Sequence, residues 1–145
     1  MPPPQVISSA EAVEEAFYDA MRRGDLAAMM ALWSDEEEVI CIHPDGPRQV
    51  GLAAVRASWE TIFGAGAGID VRVRAVRTHS GAVLAVHSVI EEITVQGRRA
   101  VETVQCVATN VFVKGPSGWR LLIHHATQAE GGEAPASAPS GAVLH

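Results

Sequence analysis

The sequence predicts an α+β domain in which helices pack on one face of a curved antiparallel sheet. Apolar residues at helical spacing dominate the chain up to Phe63, and strand-like segments rich in Val, Ile and Thr follow. The two longest of these segments, Ala82–Val95 and Arg98–Lys114, are joined by Gln96 and Gly97. Because glycine accepts a positive φ at the second position of a tight turn, the two segments are predicted to form a hairpin with a two-residue turn.

Three helices are predicted before the long strands. The first begins at the capping-box sequence Ser8–Glu11, with Ser8 as its cap, and ends at Gly24. Asp25 can cap the second helix, and Gly51 opens the third. Each helix has one apolar face: Val13, Ala16, Phe17, Ala20 and Met21 in the first, Leu26, Met29, Met30 and Trp33 in the second, and Leu52, Val55, Trp59, Ile62 and Phe63 in the third.

The remaining strands are shorter or more polar. Val39–His43 is predicted as a short buried strand that Pro44–Pro47 ends. Gly64–Gly68 is predicted as a flexible break, and because it follows a helix instead of preceding one, it does not indicate a phosphate site. Ile69–Thr78 alternates apolar and charged residues, which is typical of a strand at a sheet edge. Trp119–Thr127 is predicted to complete the sheet.

Composition indicates one folded domain. The chain has 145 residues, of which 48% are hydrophobic, so most of it can form a core. We predict an N-terminal extension over residues 1–8, the domain over residues 9–129, and a flexible tail rich in Gly, Ala, Pro and Ser over residues 130–145. No apolar stretch reaches the roughly 20 residues of a membrane-spanning helix, and no secretory signal is visible, so a cytoplasmic location is expected.

Charge and cysteine usage restrict the partners. The net charge is −6 and the arginines are scattered, which argues against nucleic acid or an anionic membrane. Cys41 and Cys106 lie in apolar strand-like runs and are predicted to be buried free thiols. His43, His87 and His125 match no standard spacing of metal ligands, so neither a metal nor another cofactor is predicted.

Several phrases of the sequence resemble a known family. They are FYDAMRRGDL at residues 17–26, Leu32–Ser34, His43–Gly46 and Gly118–Thr127. They are similar to SnoaL-like proteins of the nuclear-transport-factor-2-like superfamily, which includes ketosteroid isomerase, and the likeness spans Ala10–Ala129. The resemblance implies a cone-shaped, cystatin-like α+β barrel with a pocket between sheet and helices, and commonly a dimer. It does not imply one reaction, because this fold hosts enzymes and binding domains alike.

The same resemblance argues against steroid isomerisation. Aligned on the Gly24–Asp25 turn, Phe17 occupies the position of the tyrosine that holds the oxyanion in ketosteroid isomerase. His43 lies at the position of its base, and Thr109 lies near that of its second acid. Tyr18 is one residue away from the expected face. Two of the three groups therefore lack the required chemistry, and isomerisation of a steroid by the family mechanism is not expected.

Strand pairing suggests one candidate acid/base pair. Counted outward from the predicted turn, Glu91 lies opposite Glu102, and His87 and Asn110 share their face of the sheet. Two opposed carboxylates need a cation, a shared proton or open water. They are either an acid/base pair in the pocket or the splayed end of a sheet near the arginines of the turn.

The histidines supply the other candidates. His43, at the end of its strand, is either a proton-transfer base or a side chain that caps the turn. His124 and His125 must point to opposite faces, and we expect His125 to face the cavity and to assist His43 together with Asn110. Six side chains are expected to contact the ligand: Phe17, Trp33, Trp59, Phe63, His87 and Asn110.

Both faces of the long strands are apolar, since Leu84, Val86 and Ile90 alternate with Ala85 and Val89. The helices can cover only one face, so a homodimer through the sheets is predicted. The expected function is binding of a small apolar or carbonyl-containing molecule in a hydrophobic pocket, with acid/base chemistry of the isomerase or cyclase type if the protein is an enzyme. The alternative is a non-catalytic ligand-binding or dimeric assembly module.

Overall fold

The computed structural model describes residues 6–64 and 66–129, so the predicted tail and the start of the N-terminal extension lie outside the described residues. In chain order the elements are α1 (Ala10–Arg23), α2 (Leu26–Met30), β1 (Ile40–Ile42), β2 (Arg48–Val50), α3 (Leu52–Phe63), β3 (Asp70–Ser80), β4 (Leu84–Gln96), β5 (Val101–Gly115) and β6 (Gly118–Gln128). Three helices and a curved, unclosed six-stranded sheet confirm the predicted α+β cone.

The strand order is β2-β1-β6-β5-β4-β3. All neighbours are antiparallel except β1 and β6, which pair in parallel. The sequence did not reveal β2, because its neighbouring prolines read as the end of a strand. Asp45 takes a φ of 59° and the Gly46 amide donates to the His43 carbonyl over 2.9 Å, and this turn returns the chain to pair Ile40 with Val50.

The helix caps follow the predicted chemistry with one shift. The cap of α1 is Ser9 and not Ser8, and its Oγ accepts a hydrogen bond from the Ala12 amide over 3.0 Å. Asp25 caps α2 as predicted. The second helix ends at Met30, earlier than predicted, because Trp33 leaves it to form a bridge with Leu121 of β6.

The β4–β5 hairpin differs from the prediction in its pairing. Gln96 pairs with Val101, so a four-residue loop replaces the predicted two-residue turn, and Gly97 does not take the positive φ that the shorter turn requires. Glu91 therefore pairs with Cys106, and the predicted opposition of Glu91 and Glu102 is wrong. The shift is an even number of residues, which is why the side chains still point to the predicted faces.

A bulge in β6 reverses the orientation of the two histidines. Val111 pairs with Ile123 and Phe112 pairs with Leu121, so Leu122 is the extra residue. Beyond the bulge His124 is 2% exposed, whereas His125 lies on the outer face and is exposed. The prediction that His125 faces the interior is wrong, because it assumed unbroken alternation along the strand.

The core lies between the helices and the inner face of the sheet. Both cysteines are buried and free, as predicted. Within the described part of the chain, no helix is both long and apolar enough to cross a membrane. The domain boundaries and the cytoplasmic location stay predictions.

Candidate functional site

A group of polar side chains lies inside the cone, between α1 and the middle of the sheet. We call it the interior cluster; its members are only 0–8% exposed and are Glu14, Tyr18, His87, Glu91, Asn110 and His124. Helix α1 supplies the first two, which are four residues apart and therefore lie on one helix face. Strand β4 supplies His87 and Glu91, and β5 and β6 supply one side chain each.

Each hydrogen bond in the interior cluster has one possible direction. The Tyr18 hydroxyl donates to Glu91 Oε2 over 2.6 Å, and Asn110 Nδ2 donates to Tyr18 Oη over 3.1 Å and to Glu14 Oε2 over 3.0 Å. Since the amide oxygen of Asn110 can only accept, His124 Nδ1 donates to it over 2.6 Å. Asn110 thus orients both the tyrosine and the histidine.

His87 is fully buried beside two glutamates. Its Nδ1 lies 3.1 Å from Glu14 Oε1 and its Nε2 lies 3.5 Å from Glu11 Oε2. Although these distances are within ion-pair range, neither nitrogen makes a hydrogen bond of acceptable geometry with the described residues. We therefore regard the two approaches as weak; the ring also packs against Phe112, at 4.8 Å between ring centres.

Burial moves the pKa of two facing groups in opposite directions. It raises the pKa of Glu91, against a smaller lowering by the Tyr18 hydrogen bond. It lowers the pKa of His124 to about 3, with smaller contributions from His43 and His125. His124 Nε2 and Glu91 Oε2 are 4.0 Å apart. Because a pKa of about 3 leaves the His124 ring neutral at pH 7, we do not consider this contact an ion pair.

His43 lies at the edge of the interior, half-buried, just after β1. Its Nε2 is 2.9 Å from Ser58 Oγ, and that hydroxyl already donates its hydrogen to the Val55 carbonyl over 2.7 Å. His43 Nε2 must therefore be the donor, which leaves Nδ1 with a lone pair that can accept a proton. Burial lowers the pKa of His43, so its ring is neutral at pH 7.

The six predicted ligand contacts are all buried, at 0–3% exposure. His87 and Asn110 belong to the interior cluster. Phe17 and Trp59 lie against it, with ring centres 4.9 and 6.3 Å from that of His124. Trp59 also meets His43 edge-on at 4.7 Å. Trp33 and Phe63 are one layer further away: Trp33 packs on Phe17 at 6.4 Å, and Phe63 packs on Trp59 at 5.4 Å.

Sequence reasoning missed Glu14, Tyr18 and His124. Tyr18 was placed off the buried face, but α1 buries a face wide enough to include both Phe17 and Tyr18. The spacing of four between Glu14 and Tyr18, on the helix that covers the sheet, is a signal that could have found both. No such signal exists for His124, because its orientation depends on the bulge.

A surface depression of about 750 Å³ lies elsewhere, between α2, the segment after it and the β5–β6 turn. Acidic side chains, including those of Asp35, Glu36 and Glu37, line part of it, and no member of the interior cluster does. Among the described residues no group of three or more His, Cys, Asp or Glu side chains is arranged to hold a metal ion.

Residues 10–129 match the SnoaL-like domain family, and the chain belongs to that family. This confirms the predicted superfamily. The match covers α1 to β6 and so includes every residue of the interior cluster.

Two solved structures show the same fold. One, from Thiobacillus denitrificans, is provisionally described as a calcium/calmodulin-dependent protein kinase type II association domain; it is 35% identical with a TM-score of 0.77, over 89% of this chain and 100% of that one. The other, from Streptomyces avermitilis, is provisionally described as a dehydratase of the NTF2-like family; it is 28% identical with a TM-score of 0.74, over 83% of this chain and 93% of that one.

A curated relative is the F-box protein SKIP8 of Arabidopsis thaliana, which is 29% identical over 115 residues. These residues are 79% of this chain and 47% of the relative. The chain therefore spans about half the length of the curated relative that it matches.

Proposed function

We propose that the interior cluster is the binding site for a small, mostly apolar molecule that carries at least one oxygen-containing group. The observation that supports this most is the environment of Glu91, a carboxyl group that is 2% exposed. Its neighbours are a tyrosine hydroxyl and a neutral imidazole, and neither supplies the positive charge that a buried carboxylate normally requires. Costly burial of this kind is typical of functional sites.

The site can perform proton transfer without a cofactor. In a bound carbonyl compound, His43 Nδ1 would accept a proton from the carbon beside the carbonyl group and return it to another carbon, which is an isomerisation and needs no co-reactant. Tyr18 and Asn110 position the polar groups around the ligand oxygen. His125 has no part in this proposal because it is exposed on the outer face.

Native mass spectrometry tests the binding proposal. We expect freshly purified protein to carry a small molecule that is removed by denaturation, and Glu91→Gln to lose most of it while remaining folded. Glu92→Gln is the matched control, since Glu92 is the next residue of β4 and points to the outer face, where it pairs with Arg74 over 3.3 Å. Wild-type protein that is purified without a ligand and also fails to bind a library of small carbonyl compounds, alcohols and phenols would contradict the proposal.

A second candidate function, assembly, has separate support. On the outer face of the sheet two apolar pairs, Ile90 with Val107 and Val86 with Val111, lie on either side of the polar pair Ser88 and Thr109. Towards the β3–β4 turn, Val83 is 60% exposed and Leu84 is 48% exposed. An apolar face of this kind suits a second copy of the chain. The Thiobacillus denitrificans relative, named as an association domain, is consistent with this candidate.

Sedimentation measures the assembly directly. We expect the wild-type protein to sediment at twice the mass of the chain at micromolar concentration, and Val107→Arg to sediment as a monomer, because a charge at the centre of the face cannot be buried without a partner. Ile62→Arg is the control, since Ile62 lies on α3, on the helical side, and is already 37% exposed. A wild-type monomer would refute assembly through the sheet.

A further inference from the structure

We propose that the interior cluster binds its ligand through a hydroxyl group, that of an alcohol, a phenol or an enol, placed between Glu91 Oε2 and His124 Nε2. This inference rests on the proposed function and adds the chemical class of the ligand group. It follows from the directions of the hydrogen bonds on either side of the 4.0 Å gap between the two atoms.

On one side of the gap, His124 Nε2 is a hydrogen-bond acceptor. His124 uses the hydrogen on Nδ1 for its bond to Asn110 Oδ1, over 2.6 Å. Its ring is neutral, so Nε2 has a lone pair and no hydrogen. A group that binds to Nε2 must therefore donate a hydrogen bond.

On the other side of the gap, Glu91 Oε2 is a hydrogen-bond acceptor as well. Glu91 Oε2 receives the Tyr18 hydroxyl hydrogen over 2.6 Å, which is a length typical of a hydroxyl bound to an ionised carboxylate. Each carboxylate oxygen accepts more than one hydrogen bond, so Oε2 retains capacity towards the gap.

A group that bridges these two acceptors must be a hydrogen-bond donor. At 4.0 Å the two atoms are too far apart for a direct hydrogen bond, but their distance allows one oxygen about 2.8 Å from each of them to bond to both. A carbonyl oxygen there would face two lone pairs and be repelled, whereas a hydroxyl can give its hydrogen to either atom. Water meets the same requirement, and a ligand hydroxyl would replace it.

The surrounding walls suit an apolar body attached to that hydroxyl. Phe17 and Trp59 flank His124 and pack edge-to-face against each other, with 5.8 Å between their ring centres. Trp59 Nε1 is buried and has no hydrogen-bond partner among the described residues, so it offers a donor to a second oxygen on the ligand, such as the carbonyl oxygen of the proposed substrate.

Three probes of similar size test the inference: phenol, toluene and benzaldehyde, each titrated into the full chain at pH 7.5. Binding is followed by the ¹H–¹⁵N signal of the Trp59 indole, assigned with Trp59→Phe. We expect phenol to bind at least about tenfold more tightly than either other probe, because a hydrogen bond to a charged acceptor supplies that much.

Two variants of neighbouring residues separate the possible results. Glu91→Gln is expected to remove most of the preference for phenol and to leave toluene unchanged, since a neutral amide oxygen in place of Oε2 accepts a hydrogen bond more weakly than a carboxylate. Glu92→Gln is expected to retain the preference. Equal binding of all three probes to the wild type would overturn the hydroxyl inference and leave the interior site standing. If no probe moves the Trp59 signal, the inference and the proposed function both fail.

Discussion

Replacing Gly68 with alanine is expected to destabilise the fold by at least about 3 kcal/mol, the upper end of the usual cost of overpacking. A β-carbon at this position would lie 1.8 Å from the carbonyl oxygen of Arg22 and 2.9 Å from the amide nitrogen of Gly24. Both atoms are backbone at the end of α1, so no side chain can move aside. The chain from Gly68 to β3 is fixed there by the hydrogen bond that the Ile69 amide donates to Met21, over 2.9 Å.

Gly66→Ala is the matched control for Gly68→Ala. Gly66 has a φ of 95° but nothing within 4 Å of its missing β-carbon, so alanine there adds backbone strain without a clash. We expect it to cost about 1 kcal/mol. Urea unfolding followed by tryptophan fluorescence compares the two variants, and equal midpoints would contradict the close approach of the two segments.

The second large effect is expected on acidification. His124 has a folded-state pKa of about 3, below the usual 6.5, so the unfolded chain takes up a proton that the folded chain excludes. Above pH 6.5 neither state is protonated and stability is full. Between pH 6.5 and pH 3 stability falls by roughly 1.4 kcal/mol per pH unit, which amounts to about 5 kcal/mol at most.

Two other groups change the way in which stability depends on pH. Burial also lowers the pKa of His43, which adds to the loss in acid. The raised pKa of Glu91 acts in the opposite sense. The folded state keeps the carboxyl proton above pH 4.5, where the unfolded chain loses it, so this proton stabilises the fold in acid. That stabilisation is lost as the pH rises through the folded-state pKa of Glu91. Urea unfolding from pH 8 to pH 4 is expected to show a shallower acid loss in His124→Gln than in the wild type. Parallel curves would show that His124 titrates normally.

Much of the fold could be predicted from short-range patterns. Helical spacing placed the apolar face of α1 and the buried residues of α3, although Leu52 and Ile62, predicted on the same face, are exposed. The residues that end α1 and cap α2 were visible as Gly24 and Asp25. Alternation also assigned the correct faces in β4 and β5, so that His87, Glu91 and Asn110 were placed together on one face. These features depend on neighbours in the sequence, which a single chain displays.

The errors arose where a distant contact decides the geometry. The β4–β5 loop length, the β6 bulge at Leu122 and the short β2 strand are all fixed by pairing between strands, and local propensity does not encode them. Gly64–Gly68 was read as a flexible break, whereas Gly68 is needed where the chain crosses α1 closely. The sequence does not show whether a glycine is needed for its backbone flexibility or because a β-carbon at that position would clash.

The site was predicted less well than the fold. The strand-end position of His43 and the inward position of Asn110 could be read from the sequence, and their roles stay predictions. Tyr18 and His124 were not identified, since a buried polar network has no periodicity of its own and becomes visible only when α1, β4, β5 and β6 are brought together. Glu91 was singled out, but with the wrong partner.

The stability of Glu91→Gln at pH 7 tests most directly whether the interior cluster exists for function. The amide can still accept the Tyr18 hydrogen bond and removes a carboxyl group whose ionisation burial opposes. We predict that urea unfolding will show the variant to be more stable than the wild type by about 1 kcal/mol or more, as expected for a site that sacrifices stability. A loss of similar size, with Glu92→Gln unchanged, would contradict this account and make Glu91 a structural residue.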